Sequence, residues 1–127
     1  MNKIVVDSSA WIEYFAGREK GKKIRDIITE GTSIFVTGLI VAEVSTKFLK
    51  NSMPAEDAIS AMKSLATLLP FDFQLGHDAA QIYVHERKTK SKFGLADAHV
   101  LAAARIIQAK VITCDSDFRG LKEATIL

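Results

Sequence analysis

Residues 3–9 are Lys3-Ile4-Val5-Val6-Asp7-Ser8-Ser9, a β-branched run that ends in an acid and leads into two serines. The β-branched residues predict a buried strand, and the serines predict the start of a helix that ends at Gly17. Similar apolar runs recur at 33–36 and 111–113, with helical patterns between them. Strands that alternate with helices indicate an α/β fold, with a short, mostly parallel central sheet covered by helices on both faces.

The rest of the chain continues this alternation without a repeat, a linker or a low-complexity run, so residues 1–127 are expected to form a single domain. Apolar spacing and turn residues predict six helices, over residues 8–15, 19–30, about 38–51, 54–69, 75–89 and 95–108. Weaker patterns predict two further strands, at 71–73 and 124–127.

Composition excludes several classes of protein. A content of 48% apolar and 25% charged residues is ordinary globular usage and not that of a disordered chain. A single cysteine, Cys114, excludes a disulfide framework and a cysteine-based zinc site. The chain shows neither a signal-peptide pattern nor an apolar run of about 18 residues, so we expect a cytoplasmic protein without a membrane span.

The positive charge is concentrated in two short windows, residues 18–25 and 85–92, although the net charge is only +2. These windows have two interpretations, either as solvated helix faces or as patches that contact nucleic-acid phosphates. The second interpretation makes nucleic-acid-binding candidates of Lys20, Lys22, Lys23, Arg87, Lys88, Lys90 and Lys92.

Four acids occupy positions that need an explanation. Asp7 and Asp115 each follow a predicted strand directly, which places them at the carboxyl edge of a parallel sheet, where α/β folds bind their ligands. Glu43 and Asp97 are lone acids within apolar helical segments. A helix that is apolar all round is expected to be buried, and a buried carboxylate is costly unless it is paired or bound to a metal.

Each acid also has a purely structural interpretation. Asp7 could cap the first helix, and Asp115 could belong to a turn. Asp97 could be a first-turn acid that the helix dipole favours, and Glu43 could pair with Lys47 four residues later. If the four acids converge, however, cations must neutralise them, and an all-oxygen site suits Mg²⁺ or Mn²⁺.

Taken together, these stretches resemble the PIN-domain ribonucleases, and most of all the VapC-type toxins of prokaryotic toxin–antitoxin pairs. The resemblance extends over essentially the whole chain. It rests on motifs in a shared order: Asp7-Ser8-Ser9 with Trp11 and Phe15, Ala42-Glu43, Leu95-Ala96-Asp97-Ala98, and Thr113-Cys114-Asp115-Ser116-Asp117-Phe118.

The resemblance implies roles for these positions. Asp7, Glu43, Asp97 and Asp115 match the family's metal-binding catalytic acids. Ser9 and Thr113 match its accessory hydroxyl residues, and Asp117 matches an accessory acid that many members have. Cys114 stands where a basic or polar residue is common.

The resemblance further implies an activity and partners. We expect a Mg²⁺- or Mn²⁺-dependent endoribonuclease that cuts single-stranded or loop RNA, leaves a 5′-phosphate, forms a homodimer and is held inactive by a cognate antitoxin. Two alternatives remain, a PIN-fold RNA-processing nuclease without an antitoxin and a catalytically silent RNA-binding module. A response-regulator receiver domain is disfavoured, because two serines follow Asp7 and because residues 54–69 have a helical pattern.

Overall fold

In the computed structural model, which describes residues 2–29 and 31–127, five strands form one sheet. The predicted last residue of the second helix, Glu30, lies outside the described residues. The strands are β1 (Lys3–Val6), β2 (Ser33–Thr37), β3 (Ala66–Leu69), β4 (Lys110–Thr113) and β5 (Ala124–Ile126). The helices are α1 (Ser8–Ala16), α2 (Glu19–Thr29), α3 (Gly38–Lys50), α4 (Glu56–Leu65), α5 (Phe73–Glu86) and α6 (Leu95–Ile107), with a 3₁₀ turn at Ser116–Phe118.

The strand order is β3-β2-β1-β4-β5, and every pairing is parallel. The chain therefore builds outward from β1 to β3 on one side, and then returns to place β4 on the other side of β1. Since crossovers of this kind are right-handed, the helices that connect β1 to β3 cover one face and α5 and α6 cover the other. The predicted α/β architecture is confirmed.

The core lies between the sheet and these helices. Val5 and Val6 of β1 are fully buried, as is Trp11 of α1. Helix α6 contributes a continuous buried stretch from Ala98 to Ala104, because its small side chains let it lie close to the sheet. None of the described helices is long and apolar enough to cross a membrane.

The structure corrects the prediction for residues 54–73. The helix expected over 54–69 ends at Leu65, and Ala66–Leu69 forms the edge strand β3, which pairs with β2 in the register Ile34↔Ala66 to Thr37↔Leu69. The strand expected at 71–73 is also wrong, because Asp72 caps α5 and Phe73 is its first residue. The Asp72 side chain accepts the Leu75 amide at 3.0 Å.

Helix α3 differs from its expected environment. Only Ile40 and Val44 are buried, whereas Val41 is half-buried and Ala42 is exposed. The helix thus has one buried face and is not enclosed on all sides, and Glu43 lies half-buried at the margin of that face.

Candidate metal centre

The candidate site lies where the strand order reverses, between the carboxyl ends of β1 and β4. Asp7 is the residue after β1, and Asp115 follows β4 by two residues. The amino end of α6, which carries Asp97, reaches the same edge because α6 leads back to the start of β4. Ligands of open α/β sheets bind in the crevice at such a reversal point.

Asp7 is a buried carboxylate that two hydroxyl groups hold in place. The Thr113 hydroxyl lies 2.8 Å from its Oδ2 atom, and the Ser9 hydroxyl lies 3.0 Å from the same atom. Burial raises the pKa of Asp7, and the hydrogen bonds from Thr113 and Ser9 oppose this rise because they favour the charged form. Ser9 and Thr113, the two accessory hydroxyl residues of the sequence prediction, therefore lie directly on the first acid.

The loop after β4 presents two acids in a fixed turn. The Asp115 amide donates to the Thr113 hydroxyl at 3.0 Å, and the Asp117 amide donates to Asp115 Oδ1 at 2.9 Å. Asp115 thereby caps the 3₁₀ turn that begins at Ser116. The capping contact leaves both carboxylates in one tight loop beside Asp7, whose pKa the Asp115 charge helps to raise.

Asp97 faces this loop from the first turn of α6. Its Oδ2 atom accepts the Gly94 amide at 2.8 Å, so this acid lies in the first turn, as its structural interpretation required, and also helps to cap the helix. The pKa of Asp97 is raised to about 6, mainly by burial and also by the charges of Asp115, Asp7 and Asp117, while the hydrogen bond from the Gly94 amide opposes the rise. An acid that served only as a cap would not share its surroundings with three other carboxylates.

Glu43 approaches the same pocket from α3. Its pKa is raised to about 7, mainly by burial and also by the charges of Asp7 and Asp97, while a hydrogen bond with the Ser8 side chain opposes the rise. Its Oε1 atom is buried without a hydrogen-bond partner among the described residues. The alternative in which Lys47 neutralises Glu43 finds no support within residues 2–29 and 31–127, where Lys47 is exposed and makes no ion pair with Glu43.

These acids fit a hard divalent cation. Asp97, Asp115 and Asp117 each offer a carboxylate oxygen, and the three atoms lie within 4.8 Å of one another. The donor atoms are all oxygens, which Mg²⁺ and Mn²⁺ prefer as ligands. The buried Oε1 atom of Glu43, which has no hydrogen-bond partner among the described residues, could also interact with a cation. Asp117, predicted to be accessory, thus belongs with Asp97 and Asp115 to a three-acid group, whereas the predicted ligands Asp7 and Glu43 are not within that distance. The spacing of two residues between Asp115 and Asp117 is the sequence signal that points to this group.

The predicted RNA-binding cations lie outside the acidic pocket on two segments. Lys20, Lys22 and Lys23 are exposed on α2, and Lys20 is close enough to Cys114 for its charge to lower the pKa of that thiol, although burial raises it overall. The other segment is the connection from α5 to α6, where the side chains of Arg87, Lys88 and Lys92 are exposed.

Two of the cations on this connection already have contacts within the protein. The Arg87 guanidinium donates to the Tyr83 hydroxyl at 2.6 Å. Lys90 is half-buried, and its ammonium donates to the Arg119 carbonyl at 2.8 Å.

His99 is a buried residue whose structural role could not be predicted from the sequence. Its Nδ1 atom hydrogen bonds the Ala96 carbonyl, which can only accept, so Nδ1 carries the proton. Burial lowers the pKa of His99, which keeps the ring neutral, and Nε2 accepts from the Thr37 hydroxyl at 2.7 Å. Because Thr37 caps α3, this contact joins the starts of α3 and α6, the two helices that carry Glu43 and Asp97.

Comparison with known families agrees with this arrangement, since the family model described as PIN domain matches residues 4–124. The chain belongs to the PIN-domain family. The predicted resemblance is thereby confirmed, and solved structures of VapC-type proteins share the fold. Comparison with curated protein sequences gives no significant match.

Three solved structures illustrate the likeness. VapBC2 from Rickettsia felis, bound to a DNA fragment from its promoter, has a TM-score of 0.76 at 9% identity and covers 98% of this PIN domain and 97% of its own chain. VapC20 from Mycobacterium tuberculosis, a toxin that cleaves the sarcin-ricin loop, has a TM-score of 0.70 at 19% identity, with coverages of 94% and 95%. A toxin–antitoxin complex from Klebsiella pneumoniae has a TM-score of 0.69 at 21% identity, with coverages of 96% and 95%.

Proposed function

We propose that this PIN domain is a divalent-metal-dependent endoribonuclease of the cytoplasm and the toxin of a VapBC-type toxin–antitoxin pair. The observation that carries the proposal is the group of Asp97, Asp115 and Asp117 at the reversal point of the sheet. Asp7 and Glu43 add two carboxyl groups whose pKa values are raised by burial and then by neighbouring acids. Such a concentration of negative charge is costly for a folded protein unless a cation completes it.

In this proposal the five acids hold Mg²⁺ or Mn²⁺, with the oxygens of Asp97, Asp115 and Asp117 closest together. A bound cation would activate a water molecule and would offset the negative charge that develops on the phosphodiester in the transition state. The protein contributes orientation. Ser9 and Thr113 fix the Asp7 carboxylate, and the Gly94 amide fixes that of Asp97, so these two acids are held in place before a cation binds.

The proposed substrate is single-stranded or loop RNA, which is cut to leave a 5′-phosphate. The exposed cations of α2 and of the α5–α6 connection support this, because phosphate contacts by Lys and Arg supply most of the affinity for a nucleic-acid backbone. The charge of Lys20 lowers the pKa of the Cys114 thiol, and Cys114 immediately precedes Asp115, which supports a place for this cation on the side of α2 that faces the acids. The similar toxin from M. tuberculosis cleaves the sarcin-ricin loop, which supports loop RNA as the substrate class.

The proposed partners are an antitoxin and a second copy of the chain. Several similar structures are toxin–antitoxin complexes, and an acidic pocket without its cation suits an Arg or Lys side chain from an inhibitor. An apolar groove between α1 and α3, lined by Ile12, Phe15, Phe48 and Met53, offers a place for the apolar residues of such a segment. For the homodimer, the exposed side chains of Leu49 and Leu68 provide apolar area near α3 and α4.

The direct test is cleavage of a loop-containing RNA by the purified protein with Mn²⁺, Mg²⁺ or a chelator. We expect cleavage only with a divalent ion, and a loss of at least about a hundredfold in Asp97→Asn and Asp117→Asn, since even indirect partners of a metal site cost 10–100-fold. Asp57→Asn, which changes an exposed acid in the first turn of α4, is the matched control and should cleave like the parent. Cleavage that persists with the chelator, or in both site variants, would contradict the proposal.

A further inference from the structure

The connection between α5 and α6 is bound to the loop that carries two of the acids. Lys90 is half-buried, and its ammonium donates to the Arg119 carbonyl at 2.8 Å. That carbonyl belongs to the end of the turn that begins at Asp115, two residues beyond Asp117. The next residue, Gly120, has a φ of +86°, and a Cβ atom there would lie 3.7 Å from the Lys90 ammonium.

A second contact holds the same two segments together. Phe93 and Phe118 are both fully buried, and their rings meet edge to face with centroids 5.9 Å apart. The Phe93 amide donates to the Lys90 carbonyl at 3.1 Å, so the ammonium and the ring project from one tight turn. The apolar contact fixes the separation of the segments, and the ammonium fixes the direction of the Arg119 carbonyl.

The same connection also holds the acid on the opposite side of the pocket. The Gly94 amide, one residue after Phe93, donates to Asp97 Oδ2 at 2.8 Å. A single stretch, residues 90–94, therefore contacts both the Asp115–Asp117 loop and Asp97. The separation of these three carboxylates, which lie within 4.8 Å of one another, depends on how this stretch is placed.

We propose that Lys90 is a positioning residue for the three-acid group and not a contact to the RNA backbone. The inference rests on the proposed function, since it assigns Lys90 a part in forming that metal site. It replaces the expectation, drawn from charge alone, that Lys90 binds phosphate together with Lys88 and Lys92. The ammonium secures the turn after Asp117, and that turn holds the acids at the spacing a cation requires.

The experiment measures Mn²⁺ affinity by calorimetry on the metal-free protein, without RNA. In Lys90→Met the side chain keeps its length and loses its donor, and we expect Mn²⁺ to bind about tenfold more weakly, at the lower end of the effect of indirect partners on metal sites. Lys90→Arg keeps a cationic donor and should restore most of the affinity. Lys110→Met is the matched control, because Lys110 also donates to a backbone carbonyl, that of Lys122 at 3.4 Å, at the other edge of the sheet.

The sign of the change separates the inference from a simple effect of charge. Removing a cation that was merely close to the acids would tighten Mn²⁺ binding, whereas removing the donor that positions them weakens it. A tighter or unchanged affinity in Lys90→Met, or a loss of equal size in Lys110→Met, overturns the inference.

A second experiment measures how the affinity for an uncleavable RNA depends on the salt concentration. Loss of a phosphate contact would flatten the plot of log affinity against log salt by somewhat less than one unit. We expect the slope of Lys90→Met to equal that of the parent and the slope of Lys92→Met to flatten. A flattened slope in Lys90→Met overturns the inference. If the parent itself binds no Mn²⁺ and cleaves no RNA, the proposed function fails, which is a separate result.

Discussion

Asp7 and Glu43 are carboxyl groups that folding removes from water before any cation is present to neutralise them. Asp7 is compensated in part by the hydroxyls of Ser9 and Thr113. Glu43 has a buried oxygen without a partner among the described residues. The cost appears as raised pKa values, because each acid releases its proton less readily in the folded protein than in the unfolded chain.

The first consequence is a pH dependence of stability in the metal-free protein. The pKa of Glu43 is about 7 in the folded protein against 4.5 ordinarily, and that of Asp97 is about 6 against 3.8. At a pH below the ordinary pKa values, both acids are protonated in the folded and in the unfolded state, so they do not lower the stability. As the pH rises from the ordinary pKa values to the raised ones, the unfolded chain releases protons that the folded protein retains. Stability therefore falls, and the loss is complete above pH 7.

We therefore expect the melting temperature without metal to fall between about pH 4 and pH 8, and Glu43→Gln to flatten this fall, since glutamine does not titrate. Thermal melts across that range with a chelator check it, and Mn²⁺ should restore stability at the alkaline end. Glu56→Gln, at an exposed glutamate in the first turn of α4, is the control and should keep the shape of the parent profile. A Glu43→Gln profile as steep as that of the parent would contradict the prediction.

Much of the candidate site could be predicted at this scale. Asp7 and Asp115 are visible in the sequence because they follow predicted strands, and Glu43 and Asp97 because they are lone acids in apolar helical segments. The family resemblance adds Asp117. Lys90 and His99 could not be predicted, since each acts through a backbone or hydroxyl partner that only the tertiary fold brings near. The roles of all these residues remain predictions that mutagenesis must test.

At the scale of elements, β3 shows why a local pattern can mislead. Residues 66–69 are Ala-Thr-Leu-Leu, which continue the apolar spacing of α4 and contain only one β-branched residue. Their hydrogen bonds to β2 make them a strand, and Leu68 is exposed because β3 lies at the edge of the sheet. The buried strands were predicted correctly because burial on both faces demands a solid apolar run. Of the two sequence arguments against a receiver domain, the helical pattern of residues 54–69 therefore holds only for Glu56–Leu65, and the match to the PIN-domain family decides the question.

The packing of α1 on α2 depends on Gly21. A Cβ atom at this position would overlap the Glu13 carbonyl oxygen and lie 3.1 Å from the Tyr14 Cα atom, both of which belong to the α1 backbone. We expect Gly21→Ala to destabilise the protein by about 1–3 kcal/mol, the usual cost of overpacking, because backbone cannot move aside as a side chain can.

Gly38→Ala is the matched control for that change. Gly38 is the first residue of α3, and a Cβ atom there has no neighbour within 4 Å among the described residues. We expect its unfolding midpoint in denaturant to equal or slightly exceed that of the parent, since alanine favours the helix. Equal midpoints for the two alanine variants would show that α1 and α2 are not in close contact.

At the scale of the whole molecule, the acidic pocket and the α1–α3 groove lead us to expect that an antitoxin binds this protein and blocks its activity. If the proposed function is correct, expression of this chain alone should arrest growth, and co-expression with a small neighbouring gene should relieve the arrest and give a complex that co-purifies. Asp97→Asn should be harmless when expressed alone but should still co-purify, because the apolar groove is unchanged. Harmless expression of the parent without co-purification would favour a processing nuclease or a silent RNA-binding module.

The central position of β1 has a consequence for how the protein is made. β1 lies between β2 and β4, and the Asp7–Thr113 hydrogen bond joins residues 106 positions apart. While a ribosome is still translating the segment before β4, Asp7 and Glu43 have been synthesised, but Asp115 and Asp117 do not yet exist. The acids can therefore assemble only after β4 has been translated and has docked beside β1. If the proposed function is correct, a nascent chain that lacks β4 carries an incomplete group of acids and has no ribonuclease activity.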